Sequence, residues 1–136
     1  MFELLEHTAD IGFRARGGTL AELFANSALA LESIAVEMDD VRETREYALA
    51  ASGAEYESLL VNWLNEVLYH LDGERVVFGR FEFDELGPQR VTARGWGETR
   101  DPERHAPKLV VKGVTYHQLE VRRQAGGWFA RVILDI

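Results

Sequence analysis

The chain has no cysteine, which removes disulfides, zinc–thiolate sites and cysteine nucleophiles together. No apolar run approaches the ~20 residues that a membrane-spanning helix needs. The opening Met1-Phe2-Glu3-Leu4-Leu5-Glu6 also lacks the basic stretch that precedes a secretory hydrophobic core. A cytoplasmic location without membrane association is the expectation. Positive charge is scarce as well: 15 lysines and arginines face 23 acidic residues, for a net charge of −8. The charge balance therefore disfavours broad electrostatic capture of RNA or DNA by this chain alone, and no direct nucleic-acid binding is expected. A basic partner that itself binds nucleic acid remains compatible with such a chain. Lysine is almost absent, since Lys108 and Lys112 are the only two and every other strong base is arginine. A lysine retained in that company offers a compact, titratable charge that arginine does not.

What is present suits one globular domain spanning residues 1–136. Hydrophobic residues make up 46% of the chain and charged residues 28%, with no repeat, linker or low-complexity tract. Asp10 to Arg16 alternates, with Ile11, Phe13 and Ala15 on one face and Arg14 and Arg16 on the other, as in a half-buried strand. Thr19-x-x-Glu22 is a capping box, and Leu20, Leu23, Phe24, Ala28, Leu31 and Ile34 form the apolar stripe of the helix it opens. Thr44 to Ala51 reads as a strand. A second helix is expected from about Glu55 to Asp72, with Gly73 as a left-handed stop. Strands are expected over Arg75 to Glu85, Arg90 to Glu98, Leu109 to Tyr116, His117 to Arg123 and Trp128 to Asp135. Gly87-Pro88 and Gly126-Gly127 supply turns. Two helices and about six strands, grouped β-α-β-α and then all β, predict an α+β domain with a mixed or antiparallel sheet covered by both helices. Trp63, Trp96 and Trp128 are expected in the core.

Acidic groups frame the chain. Taken singly, Asp10 reads as a turn residue, and Asp135 with the carboxylate at Ile136 as a solvated end. If these segments meet, however, oxygen-only ligands gather at a sheet edge, a set that suits calcium or magnesium rather than zinc. A second polar concentration covers Gly97-Glu98-x-x-Asp101-x-x-Arg104-His105 and Val111-Lys112-Gly113-Val114-Thr115-Tyr116-His117. There His105 and His117 read as ordinary solvated or half-buried side chains, whereas Lys112 stands out within the apolar stretch Leu109 to Val114. Gly95-Trp96-Gly97 is no phosphate loop, for no Lys-Ser/Thr or helix follows it. A nucleophile elbow, a His-Glu-x-x-His helix and the acid cluster of two-metal hydrolysis are all missing. From the residues alone, three readings stay open: an accessory protein, a general chaperone or adaptor, and a small metal-dependent phosphotransfer or hydrolytic enzyme.

With those residues set out, the chain resembles the archease family over essentially its full length. His7-Thr8-Ala9-Asp10-Ile11-Gly12 is similar to the family's opening signature. Gly97-Glu98, Asp101, Arg104-His105 and Val111 to His117 are similar to its central one, and Leu134-Asp135-Ile136 to its ending. Gly113 departs from the pattern, where alanine would be expected after the lysine. The resemblance implies a non-catalytic accessory protein of the RtcB-type RNA ligase, which joins tRNA halves after intron removal. Such a protein promotes the ligase's guanylylation from GTP and its multiple turnover, and alters the nucleotides accepted. The same resemblance implies a divalent metal, calcium by expectation, at Asp10, Asp135 and Ile136. It also implies partner-facing roles for Lys112, His7 and His105.

Overall fold

The structure, a computed structural model, describes residues 1–6 and 10–136. In chain order the elements are β1 (Phe2–Glu6), β2 (Asp10–Gly17), α1 (Leu20–Ala35), β3 (Arg45–Ser52) and α2 (Tyr56–Leu68). They continue with β4 (Val76–Leu86), β5 (Arg90–Thr99), β6 (Gly113–Val114), β7 (Glu120–Gln124) and β8 (Gly127–Asp135). Among the described residues the strands form two antiparallel sheets instead of the single one expected. One has the order β1-β2-β8-β6 with β7 also on β8, and the other has the order β3-β5-β4. The α+β reading with two helices stands. Among the described residues the strands number eight: β1 was not foreseen, and the strands expected over 109–116 and 117–123 shorten to β6 and β7. Neither change could be read from periodicity, since five residues of FELLE do not alternate cleanly.

Helix α1 starts where the capping box placed it. The Thr19 side chain accepts from the Glu22 N–H at 3.1 Å, while Glu22 turns back to Gly18 N–H at 2.8 Å. The helix packs against β2 and β8 of the larger sheet and β4 of the smaller one, so it is buried well beyond a single stripe. Phe24 and Leu31 are fully buried, and so is Glu32. Helix α2 lays Leu59, Leu60, Trp63, Leu64 and Val67 into the same core. The Trp63 indole N–H donates to the Phe24 carbonyl at 3.0 Å and ties the two helices. Off that stripe, Asn62 donates to Ser52 O at 2.7 Å and Glu66 accepts from Ala50 N–H at 3.1 Å. These bonds occupy an edge of β3 that would otherwise offer unpaired backbone groups.

The end of α2 departs from expectation. A π-helical turn over Tyr69–Gly73 follows it, closed by Glu74 N–H donating to Tyr69 O at 3.1 Å. Gly73 is not the left-handed stop; Arg75 is, with φ 61. For a residue with a Cβ this conformation costs about 1 kcal/mol. Between Arg100 and Lys112 the chain runs without a strand, pinned by Lys108 N–H to Ala35 O at 2.9 Å and an isolated bridge of Pro107 to Val36. Trp63 is in the core as expected. Trp96 is not. It lies half-buried on the face of β5 away from the helices, between Arg80 at 4.0 Å and Arg94 at 5.1 Å from its ring centroid. The outward ladder of charges there supplies partners that favour an aromatic surface residue.

Candidate functional site

Strands β2 and β8 pair from Gly17↔Trp128 to Asp10↔Asp135, and the last pair sets the two acids directly opposite each other. Because side chains alternate along a strand, the core-facing set is Ile11, Phe13 and Ala15 with Ala130, Val132 and Leu134. Asp10, Gly12 and Arg14 therefore share the other face with Asp135, Ile133 and Arg131. Directly opposed residues hold their Cβ atoms about 5 Å apart, and like charges so placed repel. Gly12 is required by this approach, since a Cβ there would meet the Val132 carbonyl oxygen and the Ile133 side chain at 2.6 Å.

Asp10 is half-buried, and its Oδ1 is buried with no hydrogen-bond partner among the described residues. A dehydrated carboxylate oxygen left without a donor is costly unless a cation or ordered water meets it. On the other edge of β8, Asp135 pairs with Gly113, and the Lys112 N–H donates to Asp135 O at 2.7 Å. The backbone thus brings Asp10, Asp135 and Lys112 onto three adjacent strands or strand extensions. Ile136 follows Asp135 and packs against the core cluster. The Lys112 side chain is exposed, and among the described residues it makes no ion pair. His7 lies outside the described residues. No group of three or more His, Asp or Glu side chains poised for a metal occurs among the described residues. The pair of carboxylates with the orphaned Oδ1 is nevertheless a donor set that fits a hard cation, with any further oxygens coming from backbone, terminus or water.

The second polar concentration proves to be a clasp. Arg104 donates to both oxygens of Glu98, at 2.6 and 2.8 Å, and the Arg42 N–H adds a third bond at 2.7 Å. The Arg104 hydrogen bonds hold the Glu98 carboxyl down at about 2, with the Arg42 N–H assisting against burial. His105, expected to face a partner or solvent, is 1% exposed. Its Nδ1 accepts from Asp101 N–H at 2.9 Å and its Nε2 reaches Asp40 O at 2.9 Å, which fixes the tautomer with the hydrogen on Nε2. Both nitrogens are engaged within the chain, so His105 braces the loop after β5 and its ring is not offered outward. His117, read as half-buried, is exposed.

The chain is similar to known proteins over its whole length. The model of the Archease protein family (MTH1598/TM1083) matches residues 2–136. The chain belongs to the archease family. The archease of Methanosarcina mazei is 41% identical over 139 residues, covering 99% of this chain and 95% of that protein. The solution structure of Methanobacterium thermoautotrophicum protein 1598 superposes with a TM-score of 0.83 at 36% identity, over 99% of this chain and 98% of that one. The crystal structure of a Thermotoga maritima archease, described as a possible chaperone, has a TM-score of 0.61 at 22% identity, covering 97% and 94%; it shares the fold. Family membership is thus established along the chain, from the strand that carries Asp10 to the one that carries Asp135.

Sequence reasoning missed two groups. Glu32 is wholly buried on α1, where Oε1 accepts from Phe78 N–H at 2.8 Å beside the β4 bulge. Burial pushes its carboxyl well above the usual range. His70 sits among Tyr47, Tyr69 and Phe78 with Nδ1 buried and unpartnered among the described residues. An acid one position off an apolar stripe was the only available signal for the first, and the second had none.

Proposed function

We propose that this chain is the accessory protein of an RtcB-type RNA ligase in the cytoplasm, promoting the ligase's guanylylation and multiple turnover in tRNA splicing without catalysing a reaction itself. The observation that carries the reading is the Asp10–Asp135 pair on adjacent strands, with a buried Asp10 oxygen lacking a donor. Membership in the archease family supports it. The two carboxylates and an oxygen of Ile136 would hold a divalent cation, calcium by preference. Such an ion supplies a positive centre within an otherwise acidic patch.

In this reading the patch docks at the nucleotide pocket of the ligase, and the exposed Lys112 faces the partner beside it. Docking activates only if it binds the activation-competent ligase more tightly than the spent one. The overall negative charge favours encounter with a basic, RNA-binding protein. The test is multiple-turnover ligation with catalytic ligase, GTP and divalent metal. Wild type raises turnover, whereas folded Asp10→Ala and Asp135→Ala variants do not, and Lys112→Ala stimulates less. Undiminished stimulation by both acid variants sinks the reading.

One observation favours a second reading, that of a general chaperone or adaptor. Leu109, Val110 and Tyr116 are exposed, and the Thermotoga maritima relative is described as a possible chaperone. That reading requires protection of unrelated clients from aggregation, independent of Asp10, Asp135 and Lys112.

A further inference from the structure

Apart from the acid pair, the segment from Arg100 to Val111 crosses the end of α2 and closes a cavity of about 310 Å³. Leu68, Leu71 and Val111 give it an apolar wall, while Arg75, Arg100 and Lys108 bring cations and Asp72 a single acid. Arg100 is held in place twice: its N–H donates to Arg75 O at 2.7 Å and its Nη1 donates to Leu71 O at 3.1 Å. Among the described residues neither Arg75 nor Arg100 makes an ion pair. Burial, and then the neighbouring Arg75, lower the Arg100 pKa, and Asp72 offsets this only in part. Two guanidiniums side by side, one of them partly dehydrated, are a cost to the isolated protein that an arriving anion removes. Arg75 also occupies a left-handed backbone position that glycine or asparagine would fill more easily.

The open side of the cavity is apolar. Val110 is 72% exposed and Leu109 41%, in a segment with no strand of its own. A shallow groove past Tyr69 and Val110 continues from it to Lys112, whose N–H bonds Asp135.

We propose that this cavity is a docking site for an acidic–apolar segment of the protein partner, with an apolar side chain entering against Leu68, Leu71 and Val111 and a neighbouring carboxylate taken by Arg75 and Arg100. The site is near the lower limit of size for a small-molecule pocket, and its exposed apolar rim extends along the surface as a peptide-binding groove does. No Phe, Tyr or Trp lines the cavity to stack a base, so a nucleic acid is disfavoured. Cationic and apolar recognition in one place matches a carboxylate beside a hydrophobic residue, and the charge complements the site where the rest of the chain is acidic. Only the identity of the partner rests on the accessory-protein reading.

The test uses the full chain labelled with nitrogen-15 and titrated with a terminally blocked peptide alternating glutamate and leucine. Amide shifts at Leu71, Arg100, Val110 and Val111 are expected. At least a tenfold loss of affinity is expected in Arg75→Glu and in Val110→Asp, both exposed positions whose variants should keep the wild-type melting profile. Absence of shifts there, equal binding by a lysine–leucine peptide, or equal shifts with acetate alone overturns the proposal. In a second arm, Arg75→Glu is to bind the RtcB-type ligase at least tenfold more weakly. If wild type stimulates the ligase and Arg75→Glu binds it undiminished, docking at this cavity is refuted and the proposed function survives. If wild type does not stimulate the ligase, the proposed function fails, and the peptide titration alone decides the cavity.

Discussion

Asp10 and Asp135 face each other across the β2–β8 ladder, with the Lys112 amide bonded to the far side of the same β8 residue. Two carboxylates in such a pair repel, and the repulsion disappears when a cation bridges them. Calcium is therefore expected to raise the thermal midpoint of the wild type in a concentration-dependent manner. At one hundred times the dissociation constant, linkage gives about 2.7 kcal/mol. Asp10→Asn and Asp135→Asn should each abolish the calcium response while melting no lower than metal-free wild type. A calcium shift that persists in both would remove the proposed site.

Glu98 and Arg104 make a different kind of prediction. The Glu98 carboxyl is lowered from about 4.5 to about 2 in the folded chain, chiefly by Arg104. Its stabilising contribution is complete above the unfolded pKa and is lost as pH falls through the folded one. Glu98→Gln should cost about 2 kcal/mol near neutrality. The gap to wild type should narrow between pH 4.5 and pH 2, as chemical denaturation at several pH values would show.

Glu32 should behave with the opposite sign. Its folded pKa lies well above the usual carboxyl range, so the folded chain keeps a proton that the unfolded chain releases. Stability from this group is present below the unfolded pKa and falls as pH rises towards the folded one. Glu32→Gln keeps an acceptor for Phe78 N–H and has no proton to lose. Denaturation curves should show the wild type losing stability above about pH 4.5 and the variant lacking that decline.

Two glycines in the signature segments should differ sharply. A Cβ at Gly97 would run into the Val77 carbonyl, whereas one at Gly113 would meet nothing within 4 Å. Gly97→Ala should destabilise by on the order of 3 kcal/mol, as overpacking against backbone does. Gly113→Ala should be neutral or add about 0.5 kcal/mol by restricting the unfolded chain. Thermal melts of the two variants give the comparison, and equal losses would contradict it.

Much of the fold could be read along the chain because its signals are local. Alternation from Asp10 to Arg16 marks β2, and Thr19 with Glu22 marks the start of α1, each confirmed by a hydrogen bond or a register. The stop after α2 was misread because Gly73 satisfies a statistical preference while the π turn moves the left-handed residue to Arg75. The short strand β1 exists only through pairing with β2, and of the strand expected over 109–116 only Gly113–Val114 pairs, on β8; periodicity within five or two residues reveals neither limit.

The candidate site divides in the same way. The amino-acid sequence by itself determined the residue types: paired acids without cysteine, a rare lysine, and the signature blocks that mark the archease family. Tertiary structure alone decided their company. It set Asp10 against Asp135, turned His105 inward onto Asp101 and Asp40, and joined Arg75 to Arg100 at one cavity. The physical reason is that burial and charge pairing depend on segments up to 125 positions apart. Hydrophobic periodicity reports which way a side chain points from its own strand or helix, and not what waits on the other side.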